Sequence, residues 1–264
     1  MRLKDIIPIA GIGLFLGYMY KDKTYYSEPP KQEYKQEFVE ELGQFSNNMK
    51  RTFPRNADQI GTINITLYID AEFKRNHDSW LDPTDNESWK GALEDSLEKA
   101  SQRFYDEFKI SFTVDDVKYW NPEEFQWSTM YGVLIHLASI ENESIGSLGI
   151  TGRYMDDITV GLAGVIKIEK DHKIALYATV RDLEYDILDP LTYEEVPLEN
   201  IIQHELSHWF GAIDSIYEKT SIMDYGHFTK TTEWDIANKT RMNEEIPIIL
   251  EYIKLQKDLK TKPR

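Results

Sequence analysis

His204-Glu205-Leu206-Ser207-His208-Trp209-Phe210-Gly211-Ala212-Ile213-Asp214, residues 204–214, is the stretch on which the reading of this chain turns. Two histidines four apart project from adjacent turns of one helix face, so both imidazoles can reach a single tetrahedral metal ion. A helix cannot fold a further residue back onto that ion, and Gly211 removes the difficulty. Glycine takes the left-handed conformation that ends a helix and turns the chain, which lets Asp214, three residues on, bring a carboxylate beneath the metal as third ligand.

These residue types point to hydrolysis. A zinc ion held by two imidazoles and a carboxylate, with its fourth position open, makes hydroxide available near neutral pH. Glu205, beside the first histidine, is then the expected general base, taking the proton from water and returning it to the leaving amine of a peptide bond. The chain has no cysteine, so one catalytic Zn2+ must rely on imidazole, carboxylate and water, and no disulfide staples the fold. Two other readings stay open. The third ligand could come from a later helix, with Glu233 or Asp235 as candidates, as in thermolysin-like peptidases, or the chain could be a surface binding module that holds a partner without cleaving it.

HELSHWFGAID followed by Ser221, Ile222, Met223, Asp224 and Tyr225 resembles the metzincin zinc peptidases. An aspartate as third ligand is similar to the snapalysin group, and the stretches at 160–164 (VGLAG) and 174–181 (IALYATVR) look like the strands before the site in archaemetzincins. The resemblance covers about residues 158–225. It implies an α+β zincin fold: a twisted mixed sheet with a backing helix, an active-site helix, a tight turn bearing Met223 under the zinc, and C-terminal helices. It also implies that Tyr225 binds the metal or hydrogen-bonds the oxyanion, and that a peptide or protein substrate lies extended along an edge strand near 160–164. Archaemetzincins carry cysteines for a second zinc; this chain has none, so that site is not implied.

The remainder of the chain sets the frame. With 264 residues and 41% apolar content there is enough for one core, and a net charge of -16 argues against nucleic acid as a partner. Residues 6–20 (IIPIAGIGLFLGYMY), flanked by Arg2, Lys4, Lys21 and Lys23, read as a signal anchor or a cleaved signal peptide within 1–23. The run is short for a spanning helix of about 20 residues. It predicts a membrane contact and a membrane-anchored or secreted protein with its catalytic domain outside the cytoplasm. Residues 24–58, polar and holding Pro29, Pro30 and Pro54, read as a linker, stalk or pro-segment with a short helix at 33–42, and 59–264 as the catalytic domain.

Within that domain, alternation at 60–70 predicts a strand, and three-to-four spacing at 87–108 predicts a long helix. Further strands are expected at 110–114, 131–140, 158–168 and 174–181, and helices at 198–210, 232–242 and 247–259. His77, His136, His172 and His227 read as surface or packing residues, with His227 the nearest to the methionine turn. Nothing in the sequence specifies an oligomeric state.

Overall fold

Ile63, Ile65, Leu67 and Ile69 are all fully buried on one face of a single strand, as their alternation requires. The computed structural model describes residues 32–54, 58–78, 88–121, 129–140, 144–152, 161–168, 173–181, 197–215, 220–224 and 231–261. Its helices are α1 (Gln32–Met49), α2 (Ala71–Asp78), α3 (Ser88–Phe108), α4 (Met130–Ser139), α5 (Leu198–Trp209) and α6 (Ile236–Thr261). Its strands are β1 (Thr52–Phe53), β2 (Gly61–Ile69), β3 (Ile110–Tyr119), β4 (Gly146–Thr151), β5 (Gly161–Ile168) and β6 (Lys173–Arg181).

The strands form one mixed sheet in the order β1-β3-β2-β4-β6-β5. β3, β2, β4 and β6 run parallel, and β1 and β5 close the two sides antiparallel to their neighbours. The expected mixed sheet is therefore present, with a long backing helix, α3, and a helix, α5, that carries His204 and His208. α3 and α5 share the main core on one face, where Phe104 meets Phe210 at 5.7 Å and Trp234 at 5.2 Å between ring centroids. α4 covers part of the opposite face through Met130, Val133 and Leu137, against Tyr68 and Trp120.

Four departures from the sequence reading have physical causes. Of residues 131–140, expected as a strand, all but Ile140 belong to helix α4: Thr129 caps it by accepting the Gly132 N–H, and the buried positions Met130, Val133 and Leu137 follow helical spacing. A short apolar run does not separate these states by periodicity. β4, GSLGIT, was not expected, because its two glycines depress strand propensity. A Cβ on Gly146 would strike Ile65 and Trp209, and one on Gly149 would strike Trp120, so the glycines let large rings lie on both faces of a central strand.

Pro247 does not divide the last helix. Met242, Ile246, Ile249 and Ile253 keep one buried face running through it, and that burial offsets the lost backbone hydrogen bond. The polar stretch read as a linker, stalk or pro-segment contributes to the core through its described part: Phe38, Leu42, Phe45 and Met49 of α1 are buried, with Phe38 and Phe45 edge-on to Trp89. Its apolar residues sit at helical spacing within a charged sequence, which hides them from an average over composition.

The apolar run at 6–20 lies outside the described residues. Among the described residues no helix is long and apolar enough to cross a membrane, and the membrane-anchored localisation expected from the sequence is corrected on that finding. The packing of α1 yields a test. Phe38→Ala should cost about 3–5 kcal/mol in chemical denaturation, the range for an emptied aromatic core site; unchanged stability would mean that α1 is dispensable to the fold.

Candidate metal centre

α5 is buried at every position from Leu198 to Trp209 except Glu199, so its polar side chains must find partners inside the protein. Arg103 of α3 donates to Asn200 Oδ1 and Gln203 Oε1, each at 2.7 Å, and Gln203 donates to Thr232 O at 2.7 Å. Ser207 Oγ donates to Gln203 O and accepts from Trp234 Nε1, and Trp209 Nε1 donates to Tyr177 O. The helix is thereby fixed in rotation, with one face turned toward 211–215.

His204 and His208 present their rings on that face, 5.0 Å apart between centroids and nearly perpendicular at 81°. His204 Nδ1 lies 2.8 Å from Ile222 O, and His208 Nδ1 lies 2.9 Å from Ala212 O. A carbonyl oxygen only accepts, so each Nδ1 carries its hydrogen and each Nε2 is left to face inward. Gly211 has φ of 81°, the left-handed turn expected of it, and the chain doubles back to bring in Asp214.

Asp214 Oδ1 stands 3.0 Å from His204 Nε2 and 3.2 Å from His208 Nε2. Ligands about 2.0 Å from a tetrahedral ion are about 3.3 Å from each other, and both carboxylate–imidazole separations fall near that value. One ligand atom from each of the three residues lies within 4.8 Å of the others, and no other group of this kind occurs among the described residues. Glu205 Oε1 is 4.0 Å from His204 Nε2, beside this point, and its Oε2 is buried with no hydrogen-bond partner among the described residues. An orphaned carboxylate oxygen in such a place fits a site that receives a cation and a water molecule.

The protonation equilibria follow from this crowding. Burial is the largest influence on His204 and favours the neutral ring, but the hydrogen bond to Asp214 and the charges of Glu205 and Asp214 outweigh it and raise the imidazole to about 9. His208 is raised in the same way, against burial, chiefly by Asp214. Burial pushes Asp214 upward, yet the hydrogen bonds from both histidines dominate and hold it well below the usual carboxylate range. Glu205 is carried to about 7, first by burial and then by Asp214, with both histidines opposing.

The methionine turn meets this centre through its backbone. Ile222 supplies the carbonyl that orients His204, Met223 O accepts from Ser215 N at 2.7 Å, and Met223 is fully buried. Tyr225 and His227 lie outside the described residues, as does His172. Of the alternative ligands, Asp235 is hydrogen-bonded to Ser221 and Asn238, and Glu233 is 73% exposed beside Lys239, so the structure brings neither to the centre. His77 stacks on Phe73 and His136 contacts Trp120, as packing residues. Gly161, within the stretch expected to border substrate, also meets Glu205, a contact that no local pattern signals: a Cβ there would come within 2.6 Å of Glu205 Cδ.

No protein-family model matches the chain, and no curated protein matches it. Among solved structures it is similar to an archaemetzincin from Methanopyrus kandleri, with 13% identity and a TM-score of 0.43 over 70% of this chain and 96% of that one. It is also similar to metalloproteinase-II from Bacteroides fragilis, with 14% identity and a TM-score of 0.44 over 78% of this chain and 60% of that one. Likeness at this distance assigns neither a family nor an activity.

A bound ion must expel the proton that His204 holds below about 9. Metal affinity should therefore rise from pH 7 to pH 9, about tenfold per pH unit for each proton displaced. Chelator competition across that range checks it, and an affinity flat in pH would contradict a protonated His204 in the metal-free protein.

Proposed function

We propose that the chain is a zinc-dependent endopeptidase of metzincin type, acting on peptides or proteins. The observation that carries this reading is the convergence of His204, His208 and Asp214, with both carboxylate–imidazole separations near those of zinc ligands and the buried Glu205 carboxylate at their side. Two imidazoles and one carboxylate also suit Fe(II). A buried carboxylate beside these three residues, with one oxygen lacking a hydrogen-bond partner among the described residues, favours hydrolysis over oxygen chemistry, because hydrolysis needs a base there. His204, His208 and Asp214 would hold the ion, which when bound supplies Lewis acidity toward water and the scissile carbonyl.

Glu205 takes the proton as the water oxygen bonds to the carbonyl carbon, then delivers it to the amide nitrogen as the carbon–nitrogen bond breaks. Its buried position keeps the proton from exchanging with solvent between the two steps. The substrate would extend along β5, the last strand of the sheet on its side among the described residues, whose outer backbone groups can pair with an added strand. Tyr225 is proposed to hydrogen-bond the developing oxyanion.

The test separates metal binding from chemistry. Glu205→Gln should retain zinc and lose about 10²-fold or more in peptide hydrolysis, the scale of a lost general base. Gly161→Ala should also retain zinc, while its new methyl group displaces the Glu205 carboxylate and lowers kcat more than it raises KM. Hydrolysis by Glu205→Gln at the unsubstituted rate in a peptide-library assay would remove the mechanism.

A further inference from the structure

Asn238 lies in the first turn of α6 and is 4% exposed. Its Oδ1 accepts from Ile213 N at 2.8 Å and its Nδ2 donates to Ile213 O at 3.0 Å. One side-chain amide thus pairs with both backbone groups of the residue immediately before Asp214, as a neighbouring strand would. Nδ2 also donates to Asp235 Oδ2 at 2.7 Å, and Asn238 N donates to Asp235 Oδ1 at 2.9 Å. This contact sets the amide's orientation, since a flip would turn its oxygen toward a carboxylate and its NH2 toward an N–H.

The loop needs such a holder. Beyond Gly211 the chain has left the helix, and the Ile213 side chain is 46% exposed, so core packing does not fix the backbone at that point. A metal ligand must nonetheless be held to within about 0.5 Å of its productive position. The same Asp235 accepts from Ser221 Oγ at 2.7 Å, and Ser221 Oγ accepts from Met223 N at 3.1 Å. The start of α6 is therefore a common anchor for the loop carrying Asp214 and for the turn whose Ile222 carbonyl orients His204.

We infer that Asn238, oriented by Asp235, is a positioning residue that sets the Asp214 carboxylate for metal binding. The inference rests on the metal-site reading above. It gives Asp235 a place in the site quite different from that of a third ligand: it acts through Asn238 and Ser221 at one remove from the ion.

A double-mutant cycle on zinc affinity, read by chelator competition, tests it. Asn238→Leu should weaken zinc binding about 10–100-fold, the range for losing a group that orients a ligand. In an Asp214→Ala background the same substitution should change affinity by less than about twofold, because the group it positions is gone. Asn238→Ser, which empties the site without adding bulk, should repeat the pattern, with circular dichroism confirming the fold of each apo variant. Equal losses in both backgrounds, or no loss in the Asp214-containing protein, would overturn the inference. Should Asp214→Ala alone bind zinc like the unsubstituted chain, the ligand assignment itself has failed, a result distinct from either.

Discussion

Two backbone carbonyls, Ile222 O and Ala212 O, decide which edge of each histidine faces the centre. By engaging Nδ1 they leave Nε2 of His204 and His208 directed at Asp214, and they fix both ring planes before any ligand arrives. Neither carbonyl belongs to the helix that carries the histidines. The site therefore depends on how 211–215 and 220–224 are tied to α5, and the ties run through Gly211, Ser215, Ser221, Asp235 and Asn238.

Concentrating two imidazoles and two carboxylates in a buried volume costs stability, and the fold offsets that cost locally. Arg103 of α3, Trp234 ahead of α6 and the Tyr177 carbonyl of β6 hold α5 from three sides. The apolar belt of Phe104, Phe112, Trp209 and Phe210 gives the helix a rigid bed. On the remaining side, Gly161 of β5 brings backbone against Glu205 with no side chain between them, so the last strand of the sheet among the described residues and the buried carboxylate are immediate neighbours.

Much of the centre was legible in the sequence because its information is local. His204, Glu205, His208, Gly211 and Asp214 span one helix and one turn, where the helical repeat and the freedom of glycine act over a few residues. β2, α3, β6 and α5 were legible for the same reason, since each carries its apolar face at a regular period. α4 was not, because its apolar run is too short for periodicity to separate helix from strand, and β4 was hidden by glycines whose purpose is to admit Trp120 and Trp209 from elsewhere in the chain. Asn238 and Asp235 left no local signal: the contact with Ile213 exists only once α6 packs back on the loop. The membrane-anchored localisation read from 6–20 found no spanning helix among the described residues.

Crystals of the zinc-loaded chain, with an anomalous difference map collected at the zinc absorption edge, offer the most direct check on the proposed centre. A single strong peak is expected about 2.0–2.2 Å from His204 Nε2, His208 Nε2 and Asp214 Oδ1, with Glu205 outside bonding distance. A peak that lacks Asp214, or that takes Glu205, Glu233 or Asp235 as a ligand, would contradict the centre proposed for this fold.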